Sequence, residues 1–298
     1  MFHGSIVALL TPMNDHGDVD FAALCELLEW HVDQGSNGLV IAGTTGESAT
    51  LSGEEFRAVL ARAVSVIDGR IPVLAGTGTA DTAKTIERSQ QAADLGADGL
   101  LVVTPYYVRP PQRGLEAHFT AVAEASAVPV VLYNVPSRTS VDLAPETAAR
   151  LSGHPNIVGI KEAVGDRARV ERLKALCVPG FTLLSGDDPS ALDAMEVGAA
   201  GVISVAANVV PGPMRALCDA VAGGDVAAAG ALNERLERLF TQLGAETNPI
   251  PVKWAAWRMG LMGPGIRLPL LPLDNELQPA LDACLAELGL LPGEKTIK

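Results

Sequence analysis

Eight short apolar runs, each followed by a stretch of helical length, order residues 1–224, and this alternation limits the possible fold more than any other feature of the 298-residue chain. The strand-like runs are Ile6–Leu10, Gly38–Ala42, Pro72–Ala75, Gly99–Val103, Pro129–Tyr133, Ile157–Lys161, Phe181–Ser185 and Gly201–Val205. They are continuously hydrophobic, the pattern of parallel strands buried on both faces. Asp20, Ser52 and Thr79 stand where helix N-caps are expected, and Gly35, Gly69, Gly96 and Gly198 where helices end. Eight strand–helix units predict an α/β fold, a closed (β/α)8 TIM barrel over residues 1–224. A doubly wound open sheet is the alternative, but no Gly-x-Gly-x-x-Gly turn follows the first strand to support it. After residue 224 the strand pattern stops. Val226–Leu243, Pro251–Gly260 and Asn275–Leu290 have helical patterning and predict a C-terminal helical domain over residues 225–298.

Composition narrows the functions such a barrel can serve. The formal charge is −13, with no block of consecutive basic residues, so nucleic acid and anionic membrane surfaces are poor electrostatic partners. An anionic substrate needs a local positive site. Cys25, Cys177, Cys218 and Cys284 are scattered and are expected to be buried free thiols, not a zinc site or a disulfide framework. No basic segment precedes the first apolar run, and no run approaches the ~20 apolar residues of a membrane span. A soluble, cytoplasmic protein is expected.

In a barrel of this kind, chemistry gathers where strands end and the following loops begin. Lys161 ends the apolar run Ile157–Lys161 and is the only one of six lysines so placed. Desolvation disfavours an ammonium there, and a neutral amine is a nucleophile able to form a Schiff base with a carbonyl. Taken alone, Lys161 is more readily a strand-end residue that reaches solvent or pairs with Glu162. After the second strand, Gly43-Thr44-Thr45-Gly46-Glu47-Ser48 offers hydroxyls and backbone N–H groups for an anion, or forms an ordinary tight turn. Tyr106, Tyr107 and Tyr133, the chain's three tyrosines, all follow or end the fourth and fifth strands and suggest a proton relay. Arg138, in the next loop, can grip a carboxylate. No histidine lies in this set and no carboxylates have metal spacing, which argues against a metal-dependent aldolase and a Ser-His hydrolase. Asp187 and Asp188 are expected to cap the helix that follows them.

With these residues in view, the chain resembles the pyruvate-dependent class I aldolases and lyases, and within them the dihydrodipicolinate synthase family. Gly43–Leu51, Thr104-Pro105-Tyr106-Tyr107, Tyr133–Thr139, Gly159-Ile160-Lys161-Glu162-Ala163, Ser185–Asp188 and Asn248–Lys253 carry the resemblance over about residues 1 to 290. Thr45 and Arg138 select the synthase branch over its sister lyases, such as N-acetylneuraminate lyase or the 2-keto-3-deoxy sugar-acid aldolases. The resemblance implies condensation of pyruvate with L-aspartate-4-semialdehyde on the route to diaminopimelate and lysine, with no metal or organic cofactor. It implies that Lys161 forms the imine and that Tyr133 shuttles protons through Thr44 and Tyr107, the latter reaching across from an adjacent subunit. Thr44 and Thr45 would hold the pyruvate carboxylate and Arg138 that of the semialdehyde, while Gly186 and Ile203 would line the pocket through their backbones. A homotetramer, a dimer of dimers, is implied as well. Lysine-inhibited members bind the inhibitor near positions matching Ser48, Ala49, Gly53, Phe56, Ala80, Lys84 and Tyr106. Gly53, Phe56, Ala80 and Lys84 depart from the residues common in those members, so lysine feedback is not expected. A catalytically silent barrel remains the alternative from another functional class.

Overall fold

The computed structural model describes residues 2–292, so Lys295, Lys298 and the end of the expected C-terminal domain lie outside the described residues. Eight parallel strands close in sequence order into a barrel: β1 (Gly4–Ala8), β2 (Gly38–Ile41), β3 (Val73–Gly76), β4 (Gly99–Val103), β5 (Val130–Asn134), β6 (Ile157–Glu162), β7 (Thr182–Ser185) and β8 (Gly201–Ser204). The (β/α)8 expectation holds, and the open sheet is excluded by the pairing of β1 with β8.

Because both faces of each strand are covered, there are two apolar layers. Ile6, Leu74, Leu101, Val131 and Ile203 fill the barrel interior, and the ring of Phe2 packs among them at the end opposite the strand C-termini. A Cβ on Gly99 would lie 2.6 Å from the Phe2 ring, so glycine makes room for this plug. The larger layer lies between the strands and the surrounding helices, which include α1 (Phe21–Asp33), α2 (Gly53–Ile67), α3 (Thr82–Asp94) and α4 (Gln112–Glu124).

Asp20 caps α1, accepting from the N–H groups of Ala22 and Ala23 at 3.0 Å each, and Ser52 with Glu55 forms a capping box on α2. The cap of α3 is Asp81, not Thr79. The Thr79 hydroxyl is engaged with the Asp81 carbonyl at 2.8 Å, which leaves the Asp81 carboxylate to accept from Ala83 N–H. A short helix, α5 (Pro136–Thr139), turns what the sequence suggests is a plain loop; α6 (Pro145–Ser152) and α7 (Arg167–Leu176) follow it. α8 (Ala191–Glu196) begins later than expected because neither acidic residue caps it as foreseen. Asp187 accepts from Ser190 ahead of the helix, and Asp188 accepts from the N–H groups of Val205 and Ala206 at 3.0 and 2.8 Å, tying down the end of β8. Beyond α9 (Pro211–Ala222), α10 (Val226–Leu243), α11 (Ile250–Arg258) and α12 (Gln278–Glu287) pack on one another and on the barrel. All four cysteines are free, but Cys25 and Cys177 are only partly buried, contrary to the sequence expectation. No helix among the described residues is long and apolar enough to cross a membrane.

Candidate active site

The register of β5 against β6 sets Tyr133 beside Lys161 and Asn134 beside Glu162. Since side chains alternate across a strand, one pair points into the barrel and the other away from it. Lys161 and Tyr133 belong to the inward pair; both are buried, and the Lys161 amine lies 4.4 Å from the centroid of the Tyr133 ring. On the outward side, the Glu162 carboxylate accepts from Asn134 Nδ2 at 3.0 Å, from Arg169 Nε at 2.8 Å and from the Val164 N–H at 2.9 Å. Burial pushes the Glu162 carboxyl above its usual range, and Arg169 opposes this. Glu162 is therefore committed elsewhere and leaves Lys161 without a salt bridge among the described residues. Room for the lysine stem comes from Gly186, where a Cβ would sit 2.9 Å from Lys161 Cε and from Ala163 Cβ.

Opposite the amine lies the hydroxyl loop after β2. Ala42 and Glu47 hold left-handed backbone angles, with φ of 51° and 55°. Gly46 is packed so tightly that a Cβ would be 2.9 Å from the Leu9 carbonyl oxygen. Thr11 donates its hydroxyl to the Gly46 carbonyl at 2.7 Å. Chain segments more than two hundred residues away complete the loop. Asn248 Nδ2 donates to Thr45 Oγ1 at 3.0 Å, and the Lys253 ammonium is ion-paired with Glu47 in the protein interior. Arg138 Nη2 donates to the Asn248 carbonyl at 3.1 Å.

These elements enclose a cavity of about 230 Å³ at the C-terminal end of the strands. Thr44, Thr45, Tyr133, Arg138, Lys161 and Gly186 line it, as the sequence suggests. Phe240, Leu243, Gly244 and Asn248 line it from the other side and were not foreseen, because nothing in a helical segment announces which barrel loop it will face. Asp188 also lines the cavity; burial pushes its carboxyl above the usual range. Two expected residues stand apart. Ile203 is buried in the barrel interior below the cavity, and Tyr107 is 90% exposed with φ of 69° and contributes nothing to the cavity of its own chain. Of the three phenols expected to cluster, only Tyr133 meets the lysine. His31 and His118 are buried away from the cavity, with imidazole pKa values lowered by burial to about 3 and about 4. Among the described residues no group of three or more His, Cys, Asp or Glu side chains could hold a metal ion.

A buried amine without a carboxylate partner, beside a phenol at the mouth of a closed (β/α)8 barrel, defines an imine-forming lyase of the class I aldolase type. The model of the dihydrodipicolinate synthetase family matches residues 1–288, and the chain belongs to that family. It is 51% identical over 291 residues to the 4-hydroxy-tetrahydrodipicolinate synthase of Alcanivorax borkumensis, with 98% of this chain and 99% of the relative covered. The Coxiella burnetii protein of the same name is 48% identical, with 97% and 99% covered. Among solved structures, the chloride-inhibited dihydrodipicolinate synthase of Acinetobacter baumannii, complexed with pyruvate, superposes with a TM-score of 0.96 at 47% identity, with 98% and 100% covered. The enzyme from Aquifex aeolicus gives a TM-score of 0.96 at 43% identity, with the same coverage.

Proposed function

We propose that the cavity condenses pyruvate with L-aspartate-4-semialdehyde, as a 4-hydroxy-tetrahydrodipicolinate synthase serving diaminopimelate and lysine formation. The observation that carries the reading is the register of β5 on β6, which sets the Tyr133 phenol against the Lys161 amine. Lys161 attacks the pyruvate ketone, and the resulting carbinolamine loses water to give an imine. Tyr133 supplies and recovers the protons of these steps, with the Thr44 hydroxyl as its relay. Loss of a methyl proton turns the imine into an enamine, whose carbon attacks the semialdehyde aldehyde. The substrate's own amine then displaces Lys161 and closes the ring, regenerating the free lysine.

The N–H groups and hydroxyls of Thr44 and Thr45 hold the pyruvate carboxylate, and Arg138 receives that of the semialdehyde. Gly186, just beyond β7, lines the pocket, and Ile203 on β8 packs in the barrel interior beneath it. Tyr107, exposed beside half-exposed Tyr106 and exposed Val108, serves the cavity of a second copy within a dimer of dimers. The four free cysteines suit a reducing compartment, and we place the enzyme in the cytoplasm.

A condensation assay with the two substrates tests this reading. Turnover with pyruvate and the semialdehyde is expected, and turnover of N-acetylneuraminate in its place would move the chain to a sister activity. Arg138→Ala sharpens the test: use of the semialdehyde should suffer far more than formation of the pyruvate imine. Equal damage to both half-reactions would make Arg138 a structural residue.

A further inference from the structure

Glu47 lies three positions beyond Thr44, in the loop proposed to receive a carboxylate, and it is itself a carboxylate. Its side chain is fully buried and its backbone is left-handed, an unfavourable conformation for a residue with a Cβ. Both carboxylate oxygens are held by the C-terminal segment. Lys253, on α11 and 3% exposed, donates to Oε1, and the backbone N–H of Arg267 donates to Oε2 at 3.2 Å. The same segment supplies the bond from Asn248 to Thr45.

Two consequences follow from placing a carboxylate there. An ionised Glu47 without a cation would repel a substrate carboxylate, and the chain's overall charge of −13 offers no general compensation. A protonated Glu47 would lose its charge-assisted tether, and the left-handed turn would lose what holds it. Lys253 removes both difficulties. Burial pulls its ammonium below the usual lysine range, and the Glu47 carboxylate opposes that fall.

We propose that Lys253 and Glu47 are positioning residues for the substrate-carboxylate loop, a buried neutral pair through which the C-terminal segment sets the affinity for pyruvate. The proposal rests on the assignment of the Thr44–Thr45 loop to that carboxylate. Neither side chain touches the reacting atoms.

The test compares the KM for pyruvate with kcat in the full-length enzyme. Lys253→Met should raise the pyruvate KM by about tenfold or more while kcat and the semialdehyde KM change less. Glu47→Gln removes the repelling charge but also weakens the tether of the turn, so it should raise the pyruvate KM clearly less than Lys253→Met does, and adding it to Lys253→Met should restore part of the loss. Equal rises in the two single variants, or a double variant no better than Lys253→Met, would overturn the proposal, because a purely structural contact has no such asymmetry. Lys253→Met leaves a buried carboxylate unpaired and can fail to fold. Lys253→Gln keeps a donor without the charge and is the second variant; an unchanged pyruvate KM there also overturns the idea. Borohydride trapping of pyruvate on the wild type separates the two readings. No adduct defeats the proposed function, whereas an adduct with pyruvate dependence unaltered in the variants defeats only the role of the pair.

Discussion

The interior holds two lysines that differ little in burial and sharply in surroundings. Lys161 is 5% exposed and Lys253 3% exposed. Lys253 meets a carboxylate and is fixed as half of an ion pair. Lys161 meets the face of a phenol, and the one carboxylate next to it in sequence points to the other side of the strand, where Asn134 and Arg169 occupy it. Burial therefore does not make a lysine a nucleophile. What distinguishes the two sites is whether a carboxylate is near enough to hold the ammonium. The barrel achieves this at Lys161 through strand alternation, which separates two adjacent residues of opposite charge.

The largest expected effect tests the distinction directly. Pyruvate with borohydride should add mass to Lys161 and none to Lys253, and Lys161→Met should reduce condensation to background; a peptide map placing the adduct on Lys253 would reverse the comparison. Next is the phenol. Tyr133→Phe should lower turnover by roughly 10²- to 10⁴-fold, the range for a positioned proton donor, and a near-normal rate would reduce Tyr133 to packing.

A smaller effect should come from converting the Lys161 site toward the Lys253 kind. Arg169→Leu releases Glu162 from its partner, and the freed carboxylate disturbs the neighbouring strand residue. A fall in kcat of about 10²-fold is expected, the size associated with a ~1 Å error at a reacting group. Adding Glu162→Gln should recover part of it, and no recovery would show that Arg169 acts through packing alone.

The smallest effect concerns a third lysine, the exposed Lys84. Millimolar L-lysine should inhibit weakly or not at all. The resemblance puts Lys84 where it would oppose a ligand ammonium, and Arg88, stacked 3.9 Å from the centroid of the Phe56 ring, adds a cation to the cavity lined by Ser48, Ala49 and Tyr106. Inhibition below about 0.1 mM, a binding free energy beyond roughly −5.5 kcal/mol, would contradict this.

Legibility in the sequence followed the range of the contacts. The barrel was readable because eight apolar runs repeat locally, and strand limits moved by no more than two residues. That Lys161, Tyr133 and Thr44 meet in one cavity is readable because strand ends are local features and converge in a barrel. Asp81 caps α3 in place of Thr79 because the Thr79 hydroxyl bonds the Asp81 carbonyl, a side-chain contact that local spacing does not announce. Asp188 does not cap α8 because its partners lie seventeen and eighteen residues on, in the next loop. Glu47 with Lys253 and Thr45 with Asn248 are separated by 206 and 203 residues, and no local pattern announces them. Tyr107 is 90% exposed and outside the cavity of its own chain, a placement that the spacing of the tyrosines does not announce.

Phe2 and the packed layers above it close the barrel at the end opposite the strand C-termini, and this constrains traffic. Lys161 is reached from the C-terminal end of the strands, where Arg138 and the α10 residues Phe240 and Leu243 line the cavity. Pyruvate must be seated before the larger aldehyde arrives, and the water expelled on imine formation must depart before the mouth is filled. The second substrate is then the lid over the first. Ordered entry follows from the shape of the vessel, with no moving gate needed to enforce it, and initial-rate patterns in which the first product leaves before the second substrate binds are the kinetic form of that geometry.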